Sequence, residues 1–412
     1  MPKFQINIAI VVACVILRIA SAFGQSIISD RYPLGLPINP GSATALNMGG
    51  AATAAMIDHH IHLANPANLG SIDKTALTSL ATFNLLRLNH SGETEILSRF
   101  HPRQIGFAFP IGIAGTVGFS LSNETDNVIS YQKMLPVTDT TLGAERTHAQ
   151  RGGLTSWQAA WGRSITNWLH LGIAYERLQL VMTNRTATEL TLTNQDTASA
   201  LDSTRYGFSG HGIRVGVMAP LGALTIGASV EYAFEGTLHA DRLIRYANPQ
   251  EDFKTLGDTV ENSEDLQLPP AVALGASYEF SPKWLTTADV SVVSWDMYQS
   301  KLLRSADLRA NAIALGFGGR FIPAPDLLAP RYWETIHYRA GLRYQQLPAE
   351  GDAELSVALG AGLPLRGGGL LDLVAEYTRR TTDAFDFTED RFVLGIGING
   401  GRTWRKTGGD TY

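Results

Sequence analysis

Cysteine occurs once among the 412 residues, as Cys14, inside an N-terminal apolar stretch. Cleavage after Ala22 leaves none, which excludes a disulfide framework, a thiol nucleophile and a cysteine metal site. Charge is also scarce. Asp, Glu, Lys and Arg make up 17% of the chain, against about 25% in ordinary soluble proteins. The net charge of -5 excludes a charge-driven nucleic-acid binder. Past the N-terminus no stretch reaches the roughly 18 uninterrupted apolar residues of a membrane helix. A nucleophile elbow, a glycine-lysine phosphate loop and a zincin helix motif are all missing. The sequence therefore predicts no enzyme and no cofactor.

What is there begins with export. Lys3, an apolar core over 8–17 and Ala20-Ser21-Ala22 before Phe23 form a secretory signal, although Arg18 falls late in it. Val11-Val12-Ala13-Cys14 loosely resembles a lipoprotein cleavage box, but the apolar run before it is too short. The chain then divides into a signal peptide (1–22), an N-terminal hatch segment (23–72), a barrel (73–400) and a C-terminal tail (401–412).

From Thr75 the hydrophobic period is two. Leu224, Ile226, Ala228, Val230 and Tyr232 alternate with Thr225, Gly227, Ser229 and Glu231, and Phe392, Leu394, Ile396 and Ile398 with Val393, Gly395 and Gly397. One face for lipid and one for a lumen is the pattern of a transmembrane barrel. Segments of this kind fall at 75–87, 103–109, 113–122, 154–163, 168–184, 205–219 and 223–237. They continue at 269–280, 283–297, 308–321, 335–346, 353–363, 369–381 and 390–399. The fold class is all-β, a transmembrane antiparallel barrel of about 14 strands. Connections after even strands are tight, such as Pro220-Leu221-Gly222, whereas 123–153, 185–204 and 238–268 read as long polar loops. The connection at 322–334 is an exception, too long for a periplasmic turn. An even count puts both barrel ends on the short-turn, periplasmic rim, with the hatch and the C-terminus on that side.

Ahead of the strands lies a small-residue stretch, Ala45 to Ala55, with Met48-Gly49-Gly50-Ala51 leading to Asn65-Pro66-Ala67-Asn68-Leu69. Such a segment before a closed strand array belongs inside it, as a plug. Leu268-Pro269-Pro270-Ala271, followed by Lys283-Trp284 and ending at Ser294-Trp295, reads as a hairpin. Through these stretches and the strand count the sequence resembles the FadL-type family of outer-membrane transporters for long-chain fatty acids and other hydrophobic compounds. The resemblance implies a plug motif at Gly49, Gly50, Asn65, Pro66 and Ala67. It also implies ligand capture among outer loops, and release past the hatch or through a gap at a kinked third strand; Gly115 and Gly118 there would permit a kink, although strand glycines often mark only close packing.

Parity turns Glu176, Arg214, Glu231, Glu279, Asp289, Arg339, Arg343, Glu354, Asp372, Glu376 and Arg391 toward the lumen as a paired network. Trp157, Trp161, Trp168, Trp284, Trp295, Tyr175, Tyr232 and Tyr278 suit an interfacial girdle. Met134, Leu135 and Leu142 are the ligand-capture candidates. Asp58, His59, His60 and His62 have metal-binding side chains but no standard ligand spacing; a polar hatch contact is expected, and no metal. The expected function is passive uptake of fatty acids or related hydrophobic molecules by a monomer in the bacterial outer membrane. Its partners are a fatty-acid-like ligand and membrane lipid, without nucleic acid. The alternative is a FadL-related structural or protein-binding barrel, a secretion or assembly component.

Overall fold

The structure, a computed structural model, describes residues 31–402 except 39–40, 58–59, 91–92, 136–140, 193–196, 248–259, 304–307, 366–367 and 384–386. The signal peptide, the end of the tail, Asp58 and His59 lie outside the described residues.

Alternation of side chains builds one closed antiparallel sheet. Its strands are β1 (Thr75–His90), β2 (Glu93–Pro110), β3 (Thr116–Asn123, then Thr125–Leu135), β4 (Thr141–Thr166) and β5 (Leu169–Leu192). β6 (Thr197–Leu221), β7 (Leu224–Ala233, then Gly236–Ala247), β8 (Val260–Leu266, then Ala271–Ser281) and β9 (Trp284–Ser294) follow. The circuit ends with β10 (Asn311–Phe321), β11 (His337–Gln346), β12 (Ala353–Pro364), β13 (Leu370–Thr381) and β14 (Phe387–Arg402). β14 pairs back onto β1, from Phe387 opposite His90 to Arg402 opposite Thr75, and closes a 14-strand barrel. Closure leaves no unpaired edge on either strand of that seam, which hydrocarbon would not tolerate. On β5 Leu171, Ile173 and Tyr175 face outward, while His170, Ala174 and Glu176 are buried inside.

Two sequence expectations are corrected here. First, the long polar loops are largely strand: β4, β5 and β6 run for 26, 24 and 25 residues, against 10 to 12 for β9 to β13. Spanning takes about 9–11 residues. Roughly a dozen more in each strand, at about 3.3 Å per residue and a tilt of about 45°, project some 30 Å beyond the apolar band. Met134 and Leu135 accordingly end β3 and Leu142 begins β4, so they are not loop residues; their side chains lie outside the described ones.

Second, the inner segment does not stay near the short-turn rim. It leaves the lumen there, at Thr75, but Leu36 and Pro37 pair with Asp126 and Thr125 of upper β3. Arg31 and Tyr32 bind Asp352, which lies in the connection from β11 to β12 at the opposite rim. The segment runs the height of the barrel because its first residues add a strand to β3.

The irregular connection at 322–336 is a folded loop. Ala324 N–H donates to Glu334 O at 3.0 Å, and a 3-10 turn over Tyr332–Thr335 closes it.

Candidate functional site

Small residues let the inner segment lie directly on the wall. Gly172 is one such contact, since a Cβ there would stand 2.2 Å from the Pro66 carbonyl carbon. At Gly341 it would stand 2.1 Å from Gly49 N. Gly216, Gly227, Gly275 and Gly318 meet Asn65, Thr53 and Met48 in the same way. These glycines sit on β5, β6, β7, β8, β10 and β11, so the contact belt runs round much of the barrel. Gly49 also needs its positive φ of 66°.

Polar groups fix the segment between those contacts. Asn65 Oδ1 caps the 3-10 helix Pro66–Ser71 by accepting from Ala67 N at 3.1 Å. Its Nδ2 donates to Thr53 O at 2.7 Å and Val217 O at 3.2 Å. Asp289 Oδ2 accepts from Ala52 N and Thr53 N at 2.8 and 2.7 Å. Ala67 is fully buried. Gly118, read as a site for a kink or for close packing, packs on Leu69.

His60 and His62 stack at 6.3 Å inside the segment. His60 Nδ1 meets Thr44 Oγ1 at 2.8 Å, and His62 Nδ1 meets Ser42 Oγ at 3.3 Å. Among the described residues no cluster of His, Cys, Asp or Glu suits a metal ion. Burial, with the Arg339 charge second, holds His60 well below the ordinary histidine range and His62 down at about 4. The unfolded state therefore binds more protons below the ordinary pKa of about 6.5. The inner segment should keep full stability above that pH and lose it as pH falls toward 4. Hydrogen exchange over 42–66 between pH 7 and pH 4 checks this. Exchange that stays pH-independent, after correction for intrinsic rates, would contradict it.

The interior charges form clusters. Glu176 is fully buried; it accepts from Gln158 Nε2 at 2.8 Å and pairs with Arg214 Nε at 2.9 Å. Arg214 also reaches Glu231 at 2.6 Å. Arg339 pairs with Asp372, which also binds Asn399. Glu376 meets Arg391 at 3.6 Å. Sequence reading missed Arg380, which joins Glu354 at 2.7 Å and Glu389 at 2.5 Å. Removing one partner of a buried ion cluster costs about 3–5 kcal/mol, so Arg380→Met should lower the unfolding free energy of the refolded barrel by up to that amount, Glu354 keeping Arg391 at 3.4 Å. A loss below about 1 kcal/mol in denaturant titration, the size of a surface pair, would contradict the assignment. Glu279 shares the lumen parity but lies exposed at the short-turn end of β8, outside these clusters.

Beside the inner segment lies a cavity of about 280 Å³. Leu34, Leu154, Leu178, Leu268 and Trp295 make its greasy wall. Trp295, expected in the girdle, is buried against Tyr298 in the apolar cluster behind that wall. Strand-end position alone could not separate it from Trp157, Trp168 and Trp284, which are exposed. On the other side Arg343 lines the cavity, bonded only to Gln345 Oε1 at 3.1 and 3.2 Å, with no ion pair among the described residues. The cavity thus has an apolar wall and a polar side that also carries Glu124, Arg214, Glu231 and Asp289, with Arg343 the cation whose charge is unmatched at contact distance among the described residues.

The wall opens next to it. The β2–β3 ladder stops at Gln104 opposite Ser122. Beyond Glu124, β3 pairs with β4 and with Leu36–Pro37, and not with β2. Side chains bridge the seam: Asp126 meets Arg99 at 2.5 Å and His101 at 2.8 Å, and Asn123 Nδ2 donates to Pro102 O at 2.7 Å. A groove of about 480 Å³, lined by Ala81, Pro102, Ile105, Leu121 and Ile396 among others, shares Gln104 and Ser122 with the cavity.

A family model described as BamG matches residues 5–404. No curated protein matches the sequence. Among solved structures, a Pseudomonas aeruginosa FadL homologue superposes with a TM-score of 0.65 at 13% identity, over 89% of this chain and 99% of that one. The Pseudomonas putida toluene transporter TodX gives 0.58 at 13%, over 89% and 99%. The CymD monoaromatic hydrocarbon channel gives 0.57 at 14%, over 90% and 99%. These likenesses establish the barrel fold.

Proposed function

The chain belongs to the BamG family, and from the cavity and the open seam we propose that it takes up hydrophobic carboxylates of the long-chain fatty-acid class across the bacterial outer membrane. The observation that carries the reading is Arg343, a cation without an ion-pair partner among the described residues, across a cavity from an apolar wall and beside a break in the barrel. A half-buried charge without an ion-pair partner asks for an anion, and the leucine wall asks for a tail. Aromatic residues at both edges of the outward apolar band, Trp168 and Trp284 near the short turns and Trp157 and Tyr175 above, support a bilayer-spanning orientation. The short turns then face the periplasm and the long strands the exterior.

A fold shared with a toluene transporter and a FadL homologue supports a hydrophobic cargo. Partitioning drives entry, so no energy source is required. The glycine belt holds the inner segment too tightly for the cargo to pass through it. We therefore assign release to the β2–β3 seam, once the Asp126 clasp parts. The test is a fatty-acid titration of the purified barrel followed by native mass spectrometry. Saturable binding supports the reading, and a folded barrel with no titratable site overturns it. The same belt favours a second reading, a structural or protein-binding barrel, which would show no such site.

A further inference from the structure

We propose that the cavity takes a long-chain acid with a second polar group, a hydroxyl or ammonium donor at the far end of its chain, and that Glu124 receives that donor. The inference rests on the fatty-acid reading and narrows it to one class of cargo. Glu124 stands between the two halves of β3 and continues the inward parity of the buried Ser120 and Ser122. Its main chain is held on both sides, the N–H donating to Leu154 O and the C=O accepting from Ile38 N, each at 2.8 Å. Its half-buried carboxylate lines the cavity and accepts from Ser122 Oγ at 2.6 Å, with no ion pair among the described residues. Arg214, whose charge it feels, is already shared by Glu176 at 2.9 Å and Glu231 at 2.6 Å. Asp289 is met by the amides of Ala52 and Thr53. That leaves Glu124 as the lining acid with room for a donor.

Strand order places the two polar groups at the two ends of the apolar wall. Glu124 on β3 and Arg343 on β11 are eight strands apart one way round the 14-strand ring and six the other. Trp295 follows β9, Leu268 lies between the halves of β8, Leu178 is on β5 and Leu154 on β4. The wall therefore occupies the arc from β11 to β3. A tail whose carboxylate meets Arg343 and whose chain follows this wall ends at Glu124. A methyl end there would desolvate the carboxylate without giving it a partner, the costly arrangement for a half-buried polar group. A hydroxyl or ammonium at the same place makes a charge-assisted hydrogen bond instead.

The test titrates the full barrel with hexadecanoate, its ω-hydroxy and ω-amino derivatives, and the ω-methoxy derivative, which cannot donate. The matching dodecanoate set repeats it at a shorter length. The expected result, at one of the two lengths, is about tenfold or more tighter binding of the hydroxy and amino acids than of the parent and methoxy acids. In Glu124→Met that preference should vanish. Glu124→Gln keeps an acceptor without the charge, so the hydroxy preference should persist while the ammonium preference falls. Circular dichroism confirms that each variant is folded. Equal affinity for all four ligands at both lengths overturns the inference while the uptake reading stands. A preference that survives Glu124→Met overturns it too, because the donor then meets another group. Absence of saturable binding by every ligand overturns both.

Discussion

A barrel carrying Gly172→Val and Gly341→Val is expected to lose its ordered inner segment. Each new Cβ would stand within 2.2 Å of inner-segment backbone, at Pro66 and at Gly49. Overpacking a core normally costs about 1–3 kcal/mol. The upper end applies here, because the obstacle is main chain on both sides and cannot rotate away. The two positions touch different stretches of the segment, so their costs should add, to roughly 6 kcal/mol. Gly207→Val is the control, since nothing lies within 4 Å of the Cβ it would create. The expected readout is a large fall in denaturation midpoint, with protease cleavage between 41 and 72, in the double variant only. A double variant as stable and as resistant as the control would mean that the segment is loosely held.

Replacing Arg343 by Met should separate cargo by charge. A charge-assisted hydrogen bond contributes about 1.5–3 kcal/mol, which is roughly 10- to 150-fold in affinity. A long-chain carboxylate should weaken by that factor, whereas a neutral hydrocarbon of equal length should bind as before. Arg343→Lys keeps the charge but loses the planar fork, and should restore part of the difference. The other acids near the cavity do not blur the test. Glu176 and Glu231 share Arg214, Glu124 accepts from Ser122 Oγ at 2.6 Å, and Asp289 is already engaged by the amides of Ala52 and Thr53. Equal loss for both ligands would make Arg343 a structural residue.

Which parts of this were legible in the sequence follows from where the physics is local. Dyad alternation located each of the 14 strands, because each crosses from lipid to lumen with one face apolar. It failed where a strand leaves the membrane. Thr183-Asn184-Arg185-Thr186 of β5 is polar on both faces, so the pattern vanishes although the ladder to β4 and β6 continues. The break at Glu124 was hidden for a related reason: it reverses which face of β3 points inward, and Gly115 and Gly118 were more visible candidates. Lumen charges could be assigned by parity, so Arg343 and Arg214 were found. Arg380 sits on the same parity but was passed over, and the contact from Arg31 and Tyr32 to Asp352 depends on a fold-long path that no local spacing encodes. The glycine belt was half readable. Glycine on the inward parity was evident, but its reason, inner-segment backbone pressed against the wall, is tertiary.

The central claim is that cargo leaves the cavity sideways while the inner segment stays still. Residues 23–412 contain no cysteine, so an introduced pair can react only with itself. At Ala43 and Gly397 the two Cβ positions would be 2.9 Å apart, and a shift of about 1 Å gives disulfide geometry. Uptake of a labelled long-chain fatty acid into proteoliposomes is measured for the Ala43→Cys/Gly397→Cys barrel, oxidised and reduced. The same measurement is made for Ser122→Trp, which fills the junction shared by cavity and groove. The predicted result is full uptake with the segment locked and little uptake past the tryptophan. Uptake that stops on oxidation and survives Ser122→Trp would contradict it.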